Sequence, residues 1–280
     1  MAPAPGTGPQ TARASEASAS EPPKAGVKPL AGRHAVVTGA SRGIGAAIAA
    51  ELARLGADLS LIGRNAAGLR KVAERLRSDA GVDVAEIAAD VTDEQAVTRV
   101  AAALRPPAIL VNNAGGAESA PFAKTDGALW QRMLQLNLTS VYAMTRATAP
   151  AMLAAGWGRI VNVASTAGLK GYPYVSAYVA AKHGVVGLTR ALAVEFAKTG
   201  ITVNAVCPGY TDTPMLDGAV AAIAAKTKRS ESEARAQLAA ANPMGRLITP
   251  DEVAATVGWL CLPGSASITG QAIAIAGGEL

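Results

Sequence analysis

The chain has 280 residues, half of them hydrophobic and 17% charged, with a formal net charge of +5. That length holds one large domain or two small ones with a sizeable core, and no apolar run is long enough to span a membrane. Lys and Arg are scattered and only Lys226, Lys228 and Arg229 cluster, close to Glu231 and Glu233. This pattern reads as a solvated helix face and argues against a nucleic-acid partner, the alternative being a contact with the phosphates of a coenzyme A or carrier-protein thioester. Cys207 and Cys261 sit in apolar segments without metal-ligand spacing or a CxxC pair, and they read as buried thiols of a reducing compartment. His34 and His183 lack a partner motif, so no metal site is predicted and a cytoplasmic location is expected.

Residues 1–28 are rich in Ala, Pro, Ser, Gly and Thr and poor in large apolar side chains. Such a composition cannot offset the entropy of ordering, which predicts a disordered tail. It lacks the apolar region of a secretory signal, and Arg13 beside Glu16 and Glu21 makes a poor transit peptide. Order is expected from Gly32, within a single body spanning 29–280.

His34 to Thr38 reads as a short strand, followed by Thr38-Gly-Ala-Ser-Arg-Gly-Ile-Gly45 and an Ala/Ile/Leu helix through Leu55. Gly39, Gly43 and Gly45 at a strand-to-helix turn let the backbone approach a pyrophosphate, while the helix offers free N–H groups. Asp58 to Ile62 is the next strand and ends in Gly63-Arg64-Asn65. Arg64 stands where dinucleotide folds that prefer NAD place an acid, so it and Arg42 point to the 2′-phosphate of NADP(H), with NAD(H) the alternative. A helix from about Asn65 to Ser78, a strand from Val82 to Ala88 and a helix to Leu104 follow. Asp90, after the third strand, either accepts from an adenine amino group or caps the next helix.

Ile109 to Val111 forms a fourth strand, closing in Asn112-Asn-Ala-Gly115, which is either a plain turn or a wall beside the cofactor. This alternation of short apolar strands and amphipathic helices predicts an α/β parallel sheet covered on both faces. A long helix from about Asp126 to Ala155 contains Asn137, a residue that a helix interior disfavours and that therefore suggests a function. The apolar run Ile160 to Ala164 is a strand ending at Ser165. Thr202 to Cys207 is another strand, with the turn Pro208-Gly209 behind it. A polar helical segment from about Thr213 to Asn242 interrupts the alternation. A helix from Pro250 to Leu262 and a strand from Gln271 to Ala276 close the chain.

Tyr178 and Lys182 open the helix after Ser165 and lie four residues apart, on one helix face. A neighbouring cation favours phenolate, so Lys182 is expected to lower the Tyr178 pKa and let the phenol exchange a proton with an alcohol. Ser165 offers a hydroxyl to a substrate oxygen.

These residues together resemble the classical short-chain dehydrogenase/reductase family over everything after the tail. The resemblance rests on TGASRGIG at 38–45, DV at 90–91, NNAG at 112–115, Asn137, Ser165, YVAAK at 178–182, and PG at 208–209 with Thr211 and Thr213. It implies one Rossmann-type domain with strand order 3-2-1-4-5-6-7, assembled as a homotetramer. It also implies roles for single residues. Tyr178 is the general acid/base, Lys182 lowers its pKa and binds the nicotinamide ribose, Ser165 orients the substrate oxygen, and Asn137 holds a water of the proton relay. The cofactor is expected against Gly39, Ser41, Arg42, Gly43, Ile44 and Gly45, then Arg64, Asp90 and Val91, then Asn113, Ala114 and Gly115, then Tyr178 and Lys182, and finally Pro208, Gly209, Thr211 and Thr213. The segment of about 213–245 becomes a substrate lid, and a C-terminal contribution to the neighbouring subunit's site is in doubt because the closing Gly277 to Leu280 ends sooner than many relatives.

The general look is that of 3-oxoacyl reductases and related alcohol dehydrogenases. The expected activity is NADP(H)-dependent reduction of a hydrophobic ketone or 3-oxoacyl thioester, on a small-molecule substrate. The rivals are an NAD-linked secondary-alcohol or 3-hydroxyacyl-CoA dehydrogenase and a non-catalytic nucleotide-binding regulator. Leu169, Tyr172, Tyr174, Val175, Met215 and Leu216 are expected to make the pocket apolar.

Overall fold

The computed structural model describes residues 28–280, so the expected tail lies almost wholly outside the described residues. The body begins earlier than Gly32. Leu30 is fully buried and its N–H donates to the Leu55 carbonyl at 2.9 Å, while Lys28 Nζ donates to the Ala80 carbonyl at 3.1 Å.

Seven strands form one sheet, β1 His34–Thr38, β2 Asp58–Gly63, β3 Val84–Ala88, β4 Ile109–Asn112, β5 Gly158–Val163, β6 Ile201–Pro208 and β7 Ala272–Ile275. All pairs are parallel and the order is β3-β2-β1-β4-β5-β6-β7. The central strands β1, β4, β5 and β6 are buried at every residue, because helices cover both faces, and this is why they read as unbroken apolar runs.

One face carries α1 Gly43–Arg54, α2 Ala66–Ala80 and α9 Pro250–Cys261, packed on Val37, Leu59, Leu61 and Val206. The other carries α3 Glu94–Ala103, α4 Gly127–Leu134, α5 Ser140–Ala155 and α6 Ser176–Glu195, with Val36, Leu110, Ile160 and Val203 beneath. The expected helix over 126–155 is interrupted by a π-helical turn, Gln135–Thr139, with Asn137 in it. The segment after Thr213 is two helices, α7 Pro214–Thr227 and α8 Glu231–Ala240, broken where Lys228 turns to φ +57° and Ser230 opens a capping box with Glu233. Leu216, expected in the pocket, instead packs with Val220, Ala234 and Leu238 to hold α7 on α8.

A buried side-chain ladder ties together the elements that carry the site. Asn112 Nδ2 donates to Asn162 Oδ1 at 2.9 Å and Thr145 Oγ1 at 3.1 Å, and Asn162 Nδ2 donates to Thr189 Oγ1 at 2.9 Å. One network thus fixes β4, β5, α5 and α6 relative to each other, since breaking any link strands a buried amide. The strand order reverses between β1 and β4, and the crevice beyond the carboxyl ends of these strands is where open α/β sheets bind ligands.

Candidate active site

The glycine turn after β1 is locked to the turn after β4. Gly39 has φ +66°, and a Cβ at Gly45 would lie 2.3 Å from the Gly39 carbonyl oxygen and 2.5 Å from Asn113 Nδ2. No side chain fits there, so the Gly45 identity follows from close packing rather than from helix propensity. Asn113 Nδ2 donates to the Thr38 carbonyl at 2.9 Å, and Thr38 Oγ1 accepts from the N–H groups of Asn113 and Ala114 at 2.9 and 3.0 Å. Asn112 to Gly115 is therefore a braced wall and not a plain turn.

Helix α1 starts at Gly43 with no side-chain cap and no acid in its first turn. Its free N–H groups and positive dipole end face the crevice, as an anionic pyrophosphate requires. A Cβ at Gly43 would lie 3.3 Å from Thr213 Cγ2, so the loop also meets the start of the segment after β6. There Thr211 Oγ1 donates to the Gly209 carbonyl at 3.0 Å and Thr213 Oγ1 to the Thr211 carbonyl at 3.3 Å. These contacts place Gly39 to Gly45, Asn113 to Gly115 and Pro208 to Thr213 around one crevice.

Further along the sheet edge, Arg64 Nη1 stands 3.9 Å from Asp90 Oδ2 and the Arg64 side chain is 77% exposed. Arg42 is also exposed. Asp90 does not cap α3. Its Oδ1 accepts from Thr92 N and Oγ1, which holds its carboxyl below the ordinary range against the opposing effect of burial, and the α3 cap is Asp93. A cavity of about 290 Å³ lies between β3 and α3, lined in part by Ile87, Asp90, Ala96 and Val100, and Val91 is buried beside it.

At the other end, β5 delivers Ser165 into a 3-10 turn, Thr166–Gly168, where Ser165 Oγ accepts from Ala167 N at 3.1 Å. Helix α6 carries Tyr178 in its first turn and Lys182 one turn later. Lys182 is 4% exposed, its Nζ donates to the Val163 carbonyl at 2.9 Å, and it lies 5.6 Å from the centre of the Tyr178 ring. A Cβ at Gly115 would sit 2.9 Å from Asn137 Oδ1 and 3.5 Å from Lys182 Nζ, so Asn137 and Lys182 flank the same glycine. Asn137 is tied to that loop in both directions, accepting from Gly116 N at 3.1 Å and donating to the Gly116 carbonyl at 2.8 Å. The π-helical turn makes this possible by rotating the amide out of the regular helix.

The expected sense of the Tyr178 shift is corrected. Burial pushes the phenol above its ordinary value, and the adjacent Ser165 hydroxyl opposes this only in part. The same burial pulls Lys182 down to about 8, so the cation itself is disfavoured in this enclosure. Lys182 thus holds a reserve of positive charge that an anionic or ribose ligand would stabilise. Cys207, beside both, is raised to about 11 and stays a thiol.

Sequence reasoning gave Glu279 no role and missed its partners. Its side chain is 5% exposed, Tyr172 Oη donates to its Oε1, and Lys170 Nζ lies 3.0 Å from that oxygen. Tyr172 is also edge-on to Tyr210 with ring centres 6.4 Å apart. The only sequence signal was an acid just beyond the glycine pair Gly277-Gly278 that follows the apolar β7. Lys228 and Arg229 are exposed on the α7–α8 junction, as a solvated face predicts.

The chain belongs to the short-chain dehydrogenase family, whose model matches residues 33–224. It is an oxidoreductase acting on CH–OH groups, and it takes a nicotinamide cofactor. It is 44% identical over 254 residues to cis-4-hydroxycyclohexanecarboxylate dehydrogenase of Sinomonas cyclohexanicum, covering 89% of this chain and 97% of that one. It is 39% identical over 253 residues to the 3-oxoacyl-acyl-carrier-protein reductase FabG of Pseudomonas aeruginosa, covering 89% and 98%. Among solved structures, an actinorhodin polyketide ketoreductase with NADPH superposes with a TM-score of 0.83 at 41% identity, covering 88% of this chain and 97% of that one.

Proposed function

We propose that this protein is an NADP(H)-dependent reductase of hydrophobic ketones, 3-oxoacyl thioesters among them, with Tyr178 as its acid/base. The observation that carries the reading is the meeting of Ser165, Tyr178, Lys182 and Asn137 at one end of a crevice whose other end is a glycine cradle. Gly39, Ser41, Gly43, Ile44 and Gly45 would hold the pyrophosphate, Asp90 and Val91 the adenine, and Asn113, Ala114, Pro208, Gly209, Thr211 and Thr213 the nicotinamide half. When bound, the cofactor supplies the hydride.

The chain's own residues handle the proton. Ser165 Oγ donates to the ketone oxygen and orients it, and the Tyr178 phenol transfers its proton to the developing alkoxide. The raised phenol pKa keeps that proton in place until it is needed, and the Lys182 ammonium stabilises the phenolate that results. Asn137 holds the 115–116 loop and Lys182 in register for this exchange. Exposed Arg64 follows the C-terminal end of β2, Leu61-Ile62-Gly63, where no acid stands, and this supports NADP(H) over NAD(H).

The names of the ketoreductase and FabG relatives support ketone reduction, and the entry into α7 at Thr213, against Gly43 of the glycine loop, supports a lid. A homotetramer is supported by apolar side chains on opposite faces of the sheet, Tyr142, Leu153 and Val194 on α5 and α6, and Trp259 on α9. Light scattering on the purified chain tests the assembly. Consumption of NADPH against a panel of ketones and 3-oxoacyl thioesters tests the activity. Cofactor binding without turnover of any of them would favour a nucleotide-binding regulator instead.

A further inference from the structure

The penultimate residue closes the substrate end of the crevice. Glu279 Oε1 receives the Tyr172 hydroxyl and the Lys170 ammonium, Lys170 Nζ also reaches the Glu279 carbonyl at 3.3 Å, and a Cβ at Gly209 would lie 3.0 Å from Oε2. Tyr172 has one proton and donates it to the carboxylate. The 2.7 Å contact between Tyr172 Oη and Thr166 Oγ1 therefore has Thr166 donating. A directed chain runs from Thr166, next to the proposed catalytic Ser165, through Tyr172 to Glu279. It fixes the loop between Ser165 and Tyr178 against the end of β6.

We propose that Glu279 is a specificity-determining residue, which commits Lys170 and Tyr172 so that Lys170 is not free for a substrate carboxylate and neutral ketones are preferred. The proposal rests on the ketone-reductase reading. Lys170 lies in the loop that must border any ketone held by Ser165, and it is 36% exposed, so a substrate acid group can reach it once Glu279 lets go. Removing one member of this half-buried ion pair leaves its partner seeking a counter-charge. Without the Glu279 charge, the available counter-charge is a substrate carboxylate. Without the Lys170 charge, a lone carboxylate faces the cleft and repels one.

The test compares ethyl acetoacetate with acetoacetate, which share the ketone and differ in one charge, in the wild type, Glu279→Gln and Lys170→Met. Both kcat/KM with NADPH and calorimetric Kd on the NADP⁺-loaded protein are measured. In Glu279→Gln the ester-to-acid preference should fall by at least about tenfold, the size of one charge-assisted bond. In Lys170→Met it should rise. The opposite signs separate charge from general loosening, and either variant suffices if the other does not fold. Preferences within twofold of the wild type by both measures, or a gain for acetoacetate that survives in the double variant, would overturn the proposal. A wild type that turns over neither compound refutes the ketone reading instead, and the Kd ratios then decide the role of Glu279 on their own.

Discussion

The two ends of the crevice are built by different means. At the cofactor end the chain packs backbone against backbone, and Gly45 leaves 2.3 Å between a would-be Cβ and the Gly39 carbonyl, with Thr38 and Asn113 bracing the wall. At the substrate end the contacts are between side chains far apart in sequence, Lys170 and Tyr172 with Glu279 and Tyr172 with Tyr210. A backbone cradle tolerates one residue type per position. A side-chain wall can be rewritten by exchanging a few groups, which is how one fold serves many substrates.

The sharpest separation of the two ends comes from Tyr178→Phe. Turnover should drop at least about a hundredfold, the lower range of what a positioned acid/base contributes. The NADPH Kd should stay within a fewfold of the wild type, because the phenol is not the cofactor's main anchor. Steady-state kinetics beside fluorescence titration of NADPH checks both, and retained turnover would remove Tyr178 from the mechanism.

The converse break is Gly45→Ala. Its Cβ meets backbone, which cannot rotate away as a flexible side chain can, so the 39–45 turn must move. NADPH affinity is expected to fall by more than about tenfold, with a lower Tm, since the cradle and α1 shift together. Unchanged affinity would mean that the turn does not hold the pyrophosphate.

These two ends were also unequally legible in the sequence. The strands, the glycine turn and the Tyr178 and Lys182 spacing could be read because short apolar runs and fixed local spacings express them directly, whereas the strand order came from the family resemblance alone. Strand limits moved by one or two residues, as at β3, because Val82 is apolar enough to read as strand while pairing begins at Val84. The π-helical turn at Asn137 has no periodic signature, and only the misplaced asparagine hinted at it. Leu216 was read into the pocket because hydrophobicity marks burial without saying against what. The Tyr178 shift took the opposite sense because helix spacing predicts that Lys182 is near but not that both are enclosed, and desolvation outweighs a cation that is itself disfavoured. Glu279 escaped for the same reason as every long-range pair, since its partner Lys170 is 109 residues away.

A smaller effect probes the far end of the cofactor. Arg64→Asp should remove a charge-assisted bond to the 2′-phosphate and add repulsion, lowering the ratio of kcat/KM for NADPH over NADH by about tenfold. Activity with NADH should persist, because Arg64 lies on the opposite side of the glycine turn from Ser165 and Tyr178. A wild type that already prefers NADH would show that the Arg64–Asp90 pair, at 3.9 Å, is only a surface contact.

The smallest effect is a pH dependence of stability in the cofactor-free protein. Burial lowers Lys182 from 10.5 to about 8, so between these values the unfolded chain holds a proton that the folded chain has released. Stability therefore rises with pH through that window. Cys207 and Cys261 act in the opposite sense, since burial raises them from 9.0 to about 11 and about 12, so the folded chain keeps protons that the unfolded chain loses above 9.0. The Lys182 gain should show alone between about pH 8 and 9 and be masked above it. Subtracting the Tm of Lys182→Met at each pH removes the Cys261 contribution, because both proteins carry it, and the comparison is read below pH 9, before Cys207, which feels the Lys182 charge, contributes. The difference, wild type minus variant, should climb by about 2–4 °C per pH unit from about 8, the change that about 1 kcal/mol makes in a chain of this size. A flat difference would mean that Lys182 stays charged in the folded chain, and that its positive charge is already in place before the cofactor arrives.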